Sequence, residues 1–273
     1  MFQAASRDFL ITGIPRSGTS LSCRLLDDQP DVVAVNEPRQ ALRSVDVGDY
    51  CAALVRLHAE LRQDILRGSP IENKVADGGG VTTDTAQSGE YRACHPSIPS
   101  ADFVLGTKNT LAYLSRLDSL RSVQRLTIVA CIRDPRRTIS SWKKAFAHLA
   151  LADVDTLIDR GVITVNDDLE RRRLDDISRT GDLRVRRALF WRHLAMVINR
   201  NREWIHVVRY EDLLDNPVGV VSRILTVLGL PPGRTPRIGI AVQARESVAL
   251  EPEEERIICD VCGPEARAYG YSL

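Results

Sequence analysis

What the sequence lacks narrows its possible functions. Its 37 basic residues are matched by 36 acidic ones, so it has no field of one sign to recruit a nucleic-acid backbone. It contains no run of about 18 uninterrupted apolar residues, so no transmembrane helix is expected. Residues 1–8 carry no basic, apolar and small-residue leader pattern, and the expected location is the cytoplasm. Metal-ligand spacing is also missing. Of six scattered cysteines, Cys259 and Cys262 form one CxxC, but no second Cys/His pair completes a zinc site. Structural, reduced thiols and no metal requirement are the expectation. Lysine is scarce: only Lys74, Lys108, Lys143 and Lys144 occur among the basic residues. Where arginine is the default cation, a lysine can be present for its compact, titratable ammonium.

What remains is ordinary for a globular chain: 273 residues, 44% hydrophobic and 27% charged. One domain over residues 1–273 is the simplest reading. Strand-like apolar runs at Phe9–Ile14, Val32–Val35, Phe103–Gly106, Leu126–Ile132 and Trp204–Val208 alternate with helical patterns. These follow Gly18, Thr107 and Pro135, and also cover about Val47–Leu66, Leu183–Arg202 and Val218–Leu228. That alternation predicts an α/β fold with a central parallel sheet flanked by helices in three layers. Two stretches depart from it. Gly68–Asp102, with Gly78-Gly79-Gly80 and three prolines, reads as a disordered loop or a functional lid. Asp153–Asp182 reads as helical and solvated.

The turn after the first strand is Thr12-Gly13-Ile14-Pro15-Arg16-Ser17-Gly18-Thr19-Ser20. Glycines at such a turn let backbone N–H groups approach an anion, and the following helix N-terminus adds favourable partial charge. The Gly13-to-Gly18 spacing fits the P-loop frame GxxxxGK[ST], but Thr19 stands where that motif needs lysine. The loop is P-loop-like, with its cation moved to Arg16.

Pro15-Arg16-Ser17-Gly18-Thr19-Ser20 resembles the 5′-phosphosulfate loop of sulfotransferases that use 3′-phosphoadenosine 5′-phosphosulfate (PAPS). Arg133-Asp134-Pro135, with Ser141 eight positions after Arg133, resembles the family's 3′-phosphate segment. Val208-Arg209-Tyr210-Glu211-Asp212-Leu213 is similar to a later segment whose tyrosine lies near the adenosine. The stretch from Leu250-Glu251-Pro252 to Gly270-Tyr271 resembles the closing helix of bacterial members. The loop and the downstream Glu37 together are most similar to the tyrosylprotein and bacterial sulfotransferases. The resemblance runs from about residue 8 to the C-terminus, but Gly68–Asp102 and Asp153–Asp182 have no clear counterpart in it.

The resemblance implies PAPS as donor and 3′-phosphoadenosine 5′-phosphate (PAP) as product. Arg16, Ser17, Gly18, Thr19, Ser20, Arg133, Ser141 and Tyr210 are the implied nucleotide-binding residues. Glu37 is the implied base, with Lys108 and Arg16 stabilising the transferring group. An ordinary glutamate titrates near pH 4.3, so burial would have to raise Glu37 to make it an efficient base. Thr110 occupies the place where some members carry a histidine base. The five histidines read as structural or surface groups. The expected acceptor is a hydroxyl or phenol of a small molecule, saccharide or lipid. Its pocket is expected from Gly68–Asp102, the segment after Lys108 and parts of Asp153–Asp182. Deleting much of the first of these should weaken acceptor turnover more than nucleotide binding. A divergent P-loop kinase or NTPase and a non-catalytic nucleotide binder are the alternatives. The sequence leaves the oligomeric state open.

Overall fold

Successive residues of a strand face opposite sides of its sheet. In the first strand, β1 (Asp8–Gly13), Phe9 and Ile11 pack on one side and Leu10 on the other, all fully buried. A strand apolar on both faces belongs inside a parallel sheet covered by helices. The computed structural model has that arrangement, and it describes residues 8–39, 41, 49–76, 80–84, 90–98, 100–124, 126–231 and 249–273. The later strands are β2 (Val32–Asn36), β3 (Ile71–Val75), β4 (Glu90–Cys94), β5 (Val104–Lys108), β6 (Leu126–Ile132) and β7 (His206–Arg209). Five of them form a parallel sheet in the order β2–β5–β1–β6–β7, while β3 and β4 pair separately as an antiparallel hairpin.

Helices around these strands include α1 (Thr19–Asp27) and α2 (Tyr50–Leu66), then α3 (Thr110–Leu114) and α4 (Pro135–Ala145). They continue as α5 (Asp168–Arg179), α6 (Leu183–Asn201), α7 (Pro217–Val227) and α8 (Pro252–Arg267). Side chains of Asp49, Asn109, Asp134, Asp167, Asp182 and Asn216 cap α2 to α7 by accepting first-turn N–H groups, the ordinary role of Asp and Asn at that position.

Leu21, Leu25 and Leu26 of α1 join the core on the Phe9 side of the sheet, together with Val220, Val221 and Ile224 of α7. On the Leu10 side lie Tyr113 of α3, Trp142 of α4, and Phe190 and Trp191 of α6. The chain thus leaves β1 toward one face and leaves its neighbours β5 and β6 toward the other. In open α/β sheets a ligand crevice forms where connections diverge in this way, at the carboxyl ends of the strands.

The expected strands are all present, with β5 running on to Lys108 and the last strand placed at His206–Arg209. Of the two expectations for Gly68–Asp102, a disordered loop does not hold at β3 and β4, which pair inside that stretch. β4 (Glu-Tyr-Arg-Ala-Cys) has no clean apolar alternation and is half exposed, so nothing in its pattern announced a strand. Asp153–Asp182 is helical as expected at 154–159 and 168–179 but only partly solvated, since Glu170, Leu174 and Ile177 are buried. Cys262 packs inside α8 with its thiol donating to the Ala188 carbonyl at 3.4 Å, and burial pushes that thiol up. His58 is enclosed between Asp8, 3.0 Å away, and Thr107, 2.9 Å away. The buried Glu254 carboxylate ties α8 to α4 and α6, accepting from Lys143 at 2.7 Å and Arg187 at 2.8 Å. Among the described residues no helix is long and apolar enough to cross a membrane.

Candidate active site

The turn after β1 is shaped by two close approaches. At Gly13 a Cβ atom would lie 2.1 Å from the Cys131 carbonyl oxygen, so only glycine lets β1 end this tightly against β6. Gly18 has φ 86°, and a Cβ there would lie 2.5 Å from the Tyr210 ring. Ser17 turns inward: its N–H donates to Ile14 at 3.1 Å, and its hydroxyl lies 2.5 Å from Ile14 O and 2.8 Å from Cys131 O. Both donors of Ser17, a residue expected among the ligand groups, are thus used to fix the loop. Trp142, fully buried, donates from its indole to the Pro15 carbonyl at 2.8 Å and props the loop from below. Gly18 opens α1 with no side-chain cap and no acidic residue in the first turn. Thr19 and Ser20, both buried, follow it. The first N–H groups of a helix have no intrahelical acceptor, so this end presents donors and positive potential to an anion.

Arg16 stands at the crest of the loop with φ 71°, a conformation that L-residues other than Asn and Asp seldom adopt. Its Nε donates to Ser141 Oγ at 3.1 Å, which joins the two loops expected to act together. Both terminal nitrogens grip the Asp84 carboxylate in a fork, the longer arm 2.9 Å. The backbone oxygen of Arg16 accepts from Arg133 at 3.3 Å. The Arg133 guanidinium lies 4.5 Å above the Tyr210 ring, and its buried Nε has no partner among the described residues. Burial pushes Arg133 down from its ordinary value, and the nearby Tyr210 and Glu211 only partly oppose it, the expected response of a desolvated cation. Gly18, Tyr210 and Arg133 are therefore stacked in sequence, with Ser141 and Arg16 beside them.

Glu37 follows β2, and it too adopts a positive φ, 53°. Its N–H donates to the Lys108 carbonyl at 2.9 Å, and its carbonyl accepts from Tyr91 of β4 at 2.7 Å. Each carboxylate oxygen has its own ammonium: Lys108 Nζ is 2.5 Å from Oε1 and Lys74 Nζ is 2.8 Å from Oε2. Burial pushes Glu37 up, but the Lys108 and Lys74 charges outweigh it and hold the carboxyl down at about 2. The upward shift wanted for an efficient base is therefore reversed in this arrangement, because two cations oppose one desolvation. Thr110, where a histidine base was excluded, instead bonds Thr19 across 3.3 Å.

Three of these residues were not among the expected site groups: Lys74, Asp84 and Tyr91. Lysine scarcity had flagged Lys74 without giving it a place. Asp84 and Tyr91 had no local signal, since their roles depend on the hairpin's fold. Among the described residues no cluster of His, Cys, Asp and Glu could hold a metal ion.

Comparison with known proteins bears on the fold and the family. No curated protein matches the chain. A sulfotransferase from Alicyclobacillus acidocaldarius shares the fold at 15% identity, covering 99% of this chain and 98% of that one, with a TM-score of 0.52. Sulfotransferase STF9 from Mycobacterium avium is similar at 13% identity, covering 99% of this chain and 79% of its own, with a TM-score of 0.50. The family model described as Sulfotransferase family matches residues 8–234, a span that includes the glycine turn, Glu37, Lys108 and the Arg133 loop. By that match the chain belongs to the sulfotransferase family.

Proposed function

We propose that the protein transfers the sulfuryl group of PAPS to a hydroxyl or phenol of a small-molecule, saccharide or lipid acceptor. The observation that carries the donor assignment is Arg133, whose buried Nε lacks a partner among the described residues, while its guanidinium stacks on Tyr210 and reaches the backbone of Arg16, the residue that holds Ser141. A forked, desolvated cation beside an uncapped helix start suits a ligand with separated phosphate groups. PAPS, when bound, supplies an activated sulfuryl group on a phosphate leaving group. In this reading Gly18, Thr19 and Ser20 offer backbone donors to the 5′ phosphosulfate, while Ser17 holds their geometry. Arg133 and Ser141 take the 3′-phosphate, and Tyr210 supports the nucleoside side. Arg16 and Lys108 provide positive charge where the equatorial oxygens and the leaving group gain negative charge. Glu37 accepts the acceptor's proton. Arg16 exchanges the Asp84 carboxylate for the donor's anionic group on binding.

Calorimetric titration with PAP in EDTA, run beside ATP with magnesium, tests the donor. PAP binding without metal, weakened by on the order of tenfold to a hundredfold in Arg133→Ala, supports the reading. Binding of ATP with magnesium alone would replace it with a kinase or NTPase.

A further inference from the structure

The hairpin brings a second lysine to Glu37, and its placement is anchored by its neighbours. Asn73, the residue before Lys74, is buried against β2. Its side-chain oxygen accepts from the Asn36 N–H and the Lys74 N–H, each at 2.8 Å, and its amide donates to Ala34 O at 3.1 Å. On the other side Thr82 N donates to Lys74 O at 3.0 Å, and Val75 bridges Val81. The backbone of Lys74 is therefore held from two directions, and its ammonium reaches one oxygen of the carboxylate that Lys108 holds from the opposite end. We propose that Lys74 is a positioning residue for Glu37, holding Oε2 until the acceptor hydroxyl takes that place.

The two lysines are not equivalent. The Lys108 side chain is 2% exposed at the end of a central strand, whereas Lys74 is 18% exposed and Glu37 23%. An incoming hydroxyl therefore reaches the Lys74 side. The Lys74 ammonium, carried on a flexible stem, also lies 5.5 Å above the Tyr91 ring, toward which it can turn from Oε2. That exchange removes one positive charge from Glu37 at the moment a proton needs an acceptor, so the basicity of Glu37 rises with acceptor arrival. This inference rests on the sulfuryl-transfer reading. In the step itself the acceptor oxygen bonds to sulfur as the sulfur–oxygen bond to the phosphate breaks. The electron pair leaves with PAP and the hydroxyl proton passes to Oε2.

Among the described residues, the groups that face Glu37 are few. Lys108 comes from β5 and Lys74 from β3. Tyr91 comes from β4, its ring beneath the Arg39 guanidinium at 4.3 Å. Arg39 is itself 3.7 Å from Glu72. Cys23 of α1 is buried nearby and pushed up by that burial and by acidic neighbours including Glu37. Tyr91 is likewise pushed up, first by burial and then by Glu37, so both stay neutral through the range where Glu37 titrates. Lys74 is the partly exposed cation in contact with the carboxylate.

The test uses the full chain with Lys74→Met and Lys74→Arg, and two readouts. In the first, carboxyl-carbon NMR follows Glu37, its signal assigned by its loss in Glu37→Gln. Its midpoint should rise by about one pH unit or more in Lys74→Met and return in Lys74→Arg. In the second, PAP release from PAPS with water as acceptor gives a pH profile. Its acid limb should move upward in Lys74→Met, with kcat reduced, KM for PAPS within about twofold and Lys74→Arg close to the parent. A Lys74→Met profile superimposed on the parent's, or an unmoved Glu37 midpoint, would overturn the proposal. A moved midpoint in a protein that neither binds PAP nor turns over PAPS would overturn the sulfuryl-transfer reading and leave the Lys74–Glu37 contact standing.

Discussion

The two halves of the site are built on different principles. One half sits on the carboxyl ends of the parallel strands: the loop after β1, Glu37 after β2, Lys108 at the end of β5, and Arg133 after β6. Each of its residues is placed by the strand before it and the turn it stands on. The other half, Lys74, Asp84 and Tyr91, comes from the antiparallel hairpin and its inner turn, and meets the first half only by tertiary contact. Between the halves the charges are opposed, with Asp84 on Arg16 and Lys74 on Glu37. The strand-end half carries the proposed chemistry. The hairpin half supplies the counter-ions that pair with it.

Substitutions on the two sides should therefore differ in kind. The largest effect is expected for Glu37→Gln, which should reduce sulfuryl transfer by about 10²–10⁴-fold while PAP affinity measured by calorimetry changes little. Equal losses in both would mean that Glu37 belongs to the nucleotide site. Next, Gly18→Ala introduces a side chain into a left-handed turn and against the Tyr210 ring. Thermal or denaturant unfolding should show a loss of about 2 kcal/mol, and PAP binding should weaken with it. A stable variant with intact PAP binding would show that the Gly18–Tyr210 approach is dispensable. The smallest effect is expected on the hairpin side. Asp84→Ala frees Arg16 from its counter-ion and should tighten PAP binding by roughly twofold to fivefold, the opposite sign to Gly18→Ala and Arg133→Ala. Weaker binding in Asp84→Ala would mean that Asp84 organises Arg16 for the ligand, and the contrast between the halves would dissolve.

The same division accounts for what could be read in the sequence. The strand-end half was legible because its chemistry and its geometry are local: Gly13 and Gly18 mark a turn, the apolar run before them marks a strand, and Arg133-Asp134-Pro135 marks a helix start with a capping aspartate. The hairpin was not legible in this way. Glu90-Tyr91-Arg92-Ala93-Cys94 is polar and half exposed, and its pairing with β3 spans a glycine-rich interval. The basicity of Glu37 was out of reach for the same reason. Its burial could be guessed from Val32–Val35, but the second ammonium arrives from 37 positions further along the chain.

Asn73 has one more consequence, for how the protein behaves among its own copies. β2 is a border strand of the main sheet, with β5 on one flank only. On its other flank the Asn73 side chain serves the Asn36 N–H and the Ala34 carbonyl, while the Asn36 amide donates to Thr82 O at 3.2 Å. These side-chain bonds stand in for a sixth strand. Unpaired strand borders template the addition of other chains, so the hairpin also keeps the sheet from growing. Excising the hairpin would uncover that border, and the shortened protein should self-associate through β2 unless a charged residue or proline were placed there.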